Sequence, residues 1–308
     1  MEHIRIKSYG KINLSLDVRG RMDNGYHRVE MVMHGIELHD IVKVAFAQKS
    51  SGGVNIKLNV DKNSLPKDER NIAYAAAMRM SEIYPEISGD ITVDIKKEIP
   101  IGAGLAGGSG NGAAVILALN ELWNLDLPIE KLMDLGAGLG ADVPFSIMIQ
   151  ACKNNCIELK HNISMSTAAL AVGTGTSLQA ITALGGDLVL INPGISVSTR
   201  EVYEGIDSCD IAERPDNLSL IEAVKCGSFD AIKKNMVNVL ELYTLNRYSI
   251  VNRIKSEILD ILGKDAPVLM TGSGPTVYVL TRNELETKSV LSYMKNRYPA
   301  VFVSKLLK

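Results

Sequence analysis

A chain of 308 residues, 46% hydrophobic and 22% charged, is long enough for two ordinary globular domains. Its net charge of −2 and its sparse aromatics, 5% of residues, give no electrostatic or base-stacking reason to expect nucleic acid or an anionic membrane as partner. Cysteines at 152, 156, 209 and 226 are too few for a disulfide framework, and MEHIRIKSYGK at the N-terminus lacks an apolar signal core, so a cytoplasmic protein is predicted.

Ile4 and Ile6 alternate with polar residues, and Ile12, Leu14, Leu16 and Val18 do the same after Gly10, which predicts strands. Lys11 and Asn13 stand two apart on the second of these and project from the face opposite its apolar one. A lysine in that position is ordinarily a solvated strand residue. Asp23-Asn24-Gly25 is a turn signal, followed directly by Tyr26 and His27. The pair reads either as a surface turn or as a pocket for a flat ring, stacked on Tyr26 and hydrogen-bonded by His27. Val42–Ala47 and Val54–Val60 predict two further strands, and Asn71 opens a helix, NIAYAAAMRMSEIY.

Ile91, Val93 and Ile95 alternate in a strand leading to Pro100, and glycine then occupies 102, 104, 107, 108, 110 and 112 ahead of an Ala/Leu-rich helix. Such a loop turns backbone N–H groups into one concavity, and the helix N-terminus behind it adds positive potential, which suits a phosphate. The dinucleotide pattern G-x-G-x-x-G is matched, but the acid it requires about 20 residues on is Glu121, inside the predicted helix. The P-loop pattern fails at Gly108, where its lysine belongs. The missing cation must come from elsewhere, and Lys11 is the candidate. A ligand-free packing loop is the alternative, against which stands a cost of about 0.5–1 kcal/mol for each glycine relative to alanine.

A helix is predicted near Ile129–Leu139, and Val143–Ile149 reads as a buried strand. Asp142 stands between them, either as a turn carboxylate capping amides or as a base poised to take a proton from a substrate hydroxyl. Residues 150–166 read as a loop or linker. Cys152 and Cys156 would share a helical face but have no second ligand pair, and the histidines at 3, 27, 34, 39 and 161 show no metal spacing. Leu188–Asn192 and Val277–Leu280 are strand candidates, the latter after the turn Thr271-Gly272-Ser273-Gly274-Pro275. Strand runs followed by helix runs argue for two α+β domains, 1–166 and 167–308.

Three separated blocks, Lys11-Ile12-Asn13-Leu14, IPIGAGLAGGSGNGAA at 99–114 and LMTGSGPTVYVL at 269–280, resemble the three motifs of the GHMP kinases. These enzymes move the γ-phosphoryl of ATP to a small-molecule hydroxyl. GKINLSLDVRGRMDNGYHRVEMVM, ERNIAYAAA, GLGADVPF and SVSTREVYEGID are similar to the branch that acts on a cytidine diphosphate-linked methylerythritol. The resemblance spans nearly the whole chain, in order. It implies a ribosomal protein S5 domain 2-like N-terminal domain and a ferredoxin-like C-terminal domain.

The same resemblance implies roles. Asp142 would be the general base, and Lys11 would stabilise charge near the attacking oxygen. ATP would meet Pro100, Ile101, Gly102, Ala103, Gly104, Leu105, Ala106, Gly107, Gly108, Ser109 and Gly110, with Asn71 beside the adenine. Mg2+ would lie between phosphate oxygens without a protein cage of its own, Ser109 being a candidate ligand. Tyr26, His27 and Tyr203 would clamp the cytosine, while Asn13, Thr271, Gly272, Ser273 and Gly274 would border the diphosphate and the erythritol end. The chain would act on a small molecule as a monomer or weak homodimer, with no nucleic acid or membrane partner. Gly110 and Gly112 depart from the usual Ser or Thr and Ala, which predicts a more flexible helix start. Residues 150–166 replace a shorter connection, and a surface position is expected for them. A homoserine- or mevalonate-type kinase, or a nucleotide-binding homologue without catalysis, remain the alternatives.

Overall fold

The computed structural model describes residues 2–23, 25–157 and 163–308; Asn24 of the expected turn, and residues 158–162 with His161, lie outside them. In chain order the elements are β1 (Glu2–Arg21), β2 (His27–Gln48), β3 (Val54–Val60), α1 (Ile72–Ile83), β4 (Gly89–Lys96), α2 (Gly107–Leu122), α3 (Ile129–Ala137) and α4 (Val143–Lys153). There follow β5 (Ala168–Gly173), β6 (Ser177–Ala180), β7 (Asp187–Asn192), α5 (Thr199–Ile206), α6 (Asn217–Cys226) and α7 (Phe229–Asn235). The chain ends with α8 (Glu241–Arg247), α9 (Ser249–Leu262), β8 (Val268–Met270), β9 (Val277–Thr281), α10 (Glu284–Met294) and β10 (Ala300–Lys305). These form two compact units: Met1–Gly10, Leu38–Ile101 and Ala106–Ser166 in the first; Lys11–Glu37, Gly102–Leu105 and Thr167–Lys308 in the second. Among the described residues no helix is long and apolar enough to cross a membrane.

In the first unit, residues 41–48 of β2 pair antiparallel with β4, and β3 lies parallel to β4. A parallel pair needs a crossover, which α1 supplies. Ile91, Val93 and Ile95 of β4 are buried, as their alternation predicts. They share a core with the stripe Ala73, Ala76, Ala77 and Met80 of α1 and with α2. α2 packs between neighbours: α1 and α4 both lie against it, and every residue from Gly110 to Asn120 is buried.

Two expectations need correction here. Val143–Ile149 is the body of helix α4, not a strand, and the helix continues through Cys152 to Lys153. An unbroken apolar run carries no period, so burial on every side hides the difference between helix and strand. Pro144 is accommodated because it falls in the first turn, where its missing N–H has no helical partner to lose. Likewise α2 begins at Gly107, so Gly107, Gly108, Gly110 and Gly112 are helical rather than part of the preceding loop.

In the second unit, residues 29–34 of β2 pair antiparallel with β5, which forms a hairpin with β6. A separate antiparallel sheet has the order β10-β7-β9-β8, with α9 and α10 against it. The strands predicted at 188–192 and 277–280 are its β7 and β9, and Leu188–Ile191 and Val277–Leu280 are all buried.

Candidate active site

Lys11 is not a solvated strand residue. It is only 4% exposed, and its Nζ donates to Asn13 Oδ1 at 2.8 Å. The same oxygen accepts the Gly272 N–H at 3.1 Å, while the Asn13 N–H donates to Thr271 Oγ1 at 3.2 Å. The Asn13 carbonyl accepts the hydroxyl of buried Tyr278 at 2.8 Å. Asn238 Nδ2 donates to the carbonyls of Met270 and Gly272, both at 2.8 Å, which holds the 271–274 turn from its other side. Ser273 Oγ meets Thr199 Oγ1 at 3.1 Å.

The glycine-rich segment joins this cluster. Lys11 N–H donates to Leu105 O at 3.1 Å, and Thr271 Oγ1 donates to Gly104 O at 3.3 Å. A Cβ on Gly104 would stand 2.5 Å from Thr271 O and 2.9 Å from Gly274 O, and its φ is +73°, so only glycine fits. Ala103 and Leu105 are buried, while Ile101 and Gly102 are exposed and Pro100 is half-buried.

His27 and Tyr203 also come together, with ring centroids 5.3 Å apart at 40°. His27 Nε2 lies 2.8 Å from Asp207 Oδ1. Tyr26 is 68% exposed. Sequence reasoning missed Asp207, although it lies four residues after Tyr203 in the same block. One helical turn separates the two, so they face the same way.

In the first unit, Ala106 takes the left-handed conformation (φ 57°) and the chain enters α2. Gly110 N–H donates to Ala106 O at 2.8 Å, closing the first turn of the helix. The N–H groups of Gly107, Gly108 and Ser109 thus belong to the end of a helix that offers donors and positive potential to an anion. Gly108 is exposed and Ser109 half-buried.

Beneath that end lies a buried ion pair that sequence reasoning also missed. Lys97 Nζ donates to Asp40 Oδ2, and Asp40 Oδ1 accepts the N–H groups of Glu98 and Ile99, both at 2.8 Å. The network orients the Asn111 amide to donate to Asp40 Oδ2 at 3.0 Å and Gly107 O at 3.2 Å, and to accept from Lys97 Nζ at 3.2 Å. Lys97 is therefore a neutralised lysine that anchors the helix start.

The two unusual glycines have packing reasons. A Cβ on Gly112 would fall 2.6 Å from Ile72 Cγ2, and one on Gly110 2.7 Å from Ser8 Oγ. Gln150 Nε2 also donates to Gly110 O at 2.9 Å. Ser8, Ile72 and Gln150 thus crowd the helix start from β1, α1 and α4.

Asp142 is the half-buried N-cap residue of α4, yet its side chain makes no capping bond. Asn71 does cap: its Oδ1 accepts from Ala73 N–H at 3.0 Å and its Nδ2 donates to Pro66 O at 2.9 Å. A base beside Asn71 could use its remaining N–H or the second lone pair of Oδ1. Cys152 and Cys156 are free thiols whose pKa values burial pushes up, which makes them poor nucleophiles.

Comparison with known proteins adds to this geometry. Residues 71–150 match the family described as GHMP kinases N terminal domain, and residues 220–300 match GHMP kinases C terminal. A 4-diphosphocytidyl-2-C-methyl-D-erythritol kinase of Clostridium botulinum is 38% identical over 307 residues, covering 99% of this chain and all of that one. The enzyme of the same name from Acetivibrio thermocellus is 39% identical over 310 residues, covering both chains fully. A crystal structure of 4-(cytidine 5'-diphospho)-2C-methyl-D-erythritol kinase superposes with a TM-score of 0.75 at 25% identity, covering 99% of this chain and all of the other.

Proposed function

The chain belongs to the GHMP kinases, with their two-domain fold of mixed helices and sheets, and we propose how its residues perform the reaction of its relatives. That reaction is the ATP-dependent phosphorylation of the 2-hydroxyl of 4-diphosphocytidyl-2-C-methyl-D-erythritol, giving the 2-phosphate and ADP, a step of the non-mevalonate route to isoprenoids. The observation that carries the assignment of residues is the Asn13 hub. It holds a buried ammonium against the 271–274 turn and beside the glycine-rich segment, in a chain that aligns end to end with kinases of that name.

Phosphoryl transfer demands mainly positioning and neutralisation of charge. Asp142 takes the proton of the attacking hydroxyl. Lys11 offsets the charge that develops around the transferring phosphoryl. Within the segment from Pro100 to Gly110, which ends in the first turn of α2, the amides of Gly104–Gly110 and the Ser109 hydroxyl hold the ATP phosphates, and Asn71 borders the adenine. No group of three or more His, Cys, Asp or Glu among the described residues is placed to hold a metal ion. Ser109 is the protein hydroxyl that would help hold Mg2+, whose remaining ligands would come from the nucleotide and water. When bound, the ion would offset negative charge on the nucleotide phosphates. Tyr26, His27 and Tyr203 enclose the cytosine, while Asn13 and Thr271 to Gly274 border the rest of the substrate. The enzyme works in the cytoplasm as a monomer or weak homodimer, on a small molecule.

The test is ADP formation with the cytidylyl substrate, its decytidylated fragment, homoserine and mevalonate. Turnover of the cytidylyl substrate alone is expected; preference for any other acceptor, or no turnover, overturns the reading. Asp142→Asn is expected to lower kcat by roughly 10²–10⁴-fold with the KM for ATP nearly unchanged. A variant that keeps wild-type kcat removes Asp142 as the base.

A further inference from the structure

His27 is the first residue of β2, and its side chain is 7% exposed. Two residues of the α5 segment engage its ring. Tyr203 lies against it, and Asp207, the C-cap residue of α5, sets Oδ1 2.8 Å from Nε2. A carboxylate can only accept, so a neutral imidazole in this place must carry its proton on Nε2. Nδ1 is then a bare acceptor. It makes no hydrogen bond to any described residue.

The two pyrimidines differ at the corresponding edge. Cytosine offers a 4-amino donor, whereas uracil, like thymine, offers a 4-oxo acceptor. An acceptor on the protein satisfies the first and leaves both groups unpaired with the second. We infer that Asp207 is a positioning residue for base selection: by holding the His27 proton on Nε2, it presents Nδ1 as the acceptor that admits cytosine and rejects uracil. The inference rests on the reading above that His27 meets the edge of the base.

Asp207→Asn removes this constraint with little change in size, because the new amide can donate to Nε2 and let the proton move to Nδ1. An Nδ1–H suits the uracil oxygen. The experiment compares kcat/KM for the cytidylyl substrate and its uridylyl analogue in the wild type, Asp207→Asn, Asp207→Ala and His27→Ala. In parallel, ¹⁵N spectra of histidine-labelled protein locate the His27 proton. The expected result is a fall in the cytidylyl-to-uridylyl ratio of about tenfold or more in both Asp207 variants, carried by KM more than by kcat. The His27 proton is also expected to leave Nε2 in Asp207→Asn. If both Asp207 variants keep the wild-type ratio while His27→Ala loses it, Asp207 has no such role and the His27 reading stands. If His27→Ala itself keeps the ratio, the contact between His27 and the base is wrong, and the inference falls with it.

Discussion

One amide oxygen, Oδ1 of Asn13, accepts from the Lys11 ammonium and from the Gly272 N–H, and all three residues are away from bulk solvent. Neither donor has water at hand to replace it, so deleting the acceptor takes one buried partner from each. Asn13→Leu keeps the volume and removes the acceptor. It is expected to lower stability by about 1–3 kcal/mol, the cost of an unsatisfied buried partner. It is also expected to depress kcat, because Lys11 loses the group that aims it. Urea denaturation and steady-state kinetics on the same preparation check both. A variant as stable and as active as the wild type removes the hub from the account. The backbone alternation of β1 put Lys11 and Asn13 on one face, and that much was legible in the sequence. Their burial was not, because it depends on a turn 258 residues away.

At the scale of elements, α1 and α2 approach so closely that Gly112 has no room for a methyl group. Glycine-to-alanine in an open helix interior ordinarily stabilises by about 1 kcal/mol. Here the added Cβ would lie 2.6 Å from Ile72 Cγ2 and 3.3 Å from the Ile72 carbonyl oxygen. Overpacking of that kind costs about 1–3 kcal/mol, which reverses the sign. Gly112→Ala is therefore expected to lower the urea midpoint. Ile72→Ala in the same chain is expected to cost less than it does alone, since the new methyl occupies vacated space; strictly additive losses would count against the contact. Helix α1 itself was readable from the apolar spacing at 73, 76, 77 and 80. The start of α2 was not, because a glycine run resembles a loop until the surfaces it packs against are known.

For the molecule as a whole, His34 makes stability depend on pH. It is fully buried, its Nδ1–H donates to Gly35 O at 2.8 Å, and its Nε2 accepts the Leu184 N–H at 2.9 Å. Burial lowers its pKa from 6.5 to about 4. Between those values the unfolded chain binds the proton and the folded chain does not. Stability from this group is therefore complete above the unfolded value, is lost as pH falls through the interval, and levels off below the folded value. The loss on going from pH 7 to pH 5 is about 2 kcal/mol. Denaturant unfolding at the two pH values is expected to show this loss in the wild type and a smaller one in His34→Gln. Equal losses in both chains would clear His34 of the effect.

Much of the architecture was encoded locally. Strict alternation in β1 and β4, the helical stripe of α1, and the glycine run at 102–112 can each be read within about twenty residues. Three such blocks, in order, were enough to indicate the GHMP kinases. Other features were decided only by tertiary structure. They are the helical state of 143–153, the partnership of Lys97 with Asp40 across 57 residues, and that of His27 with Asp207 across 180. The reason is physical: the backbone period is set by neighbours along the chain, whereas burial, charge pairing and the placement of a single proton are set by whichever distant segment the fold brings alongside.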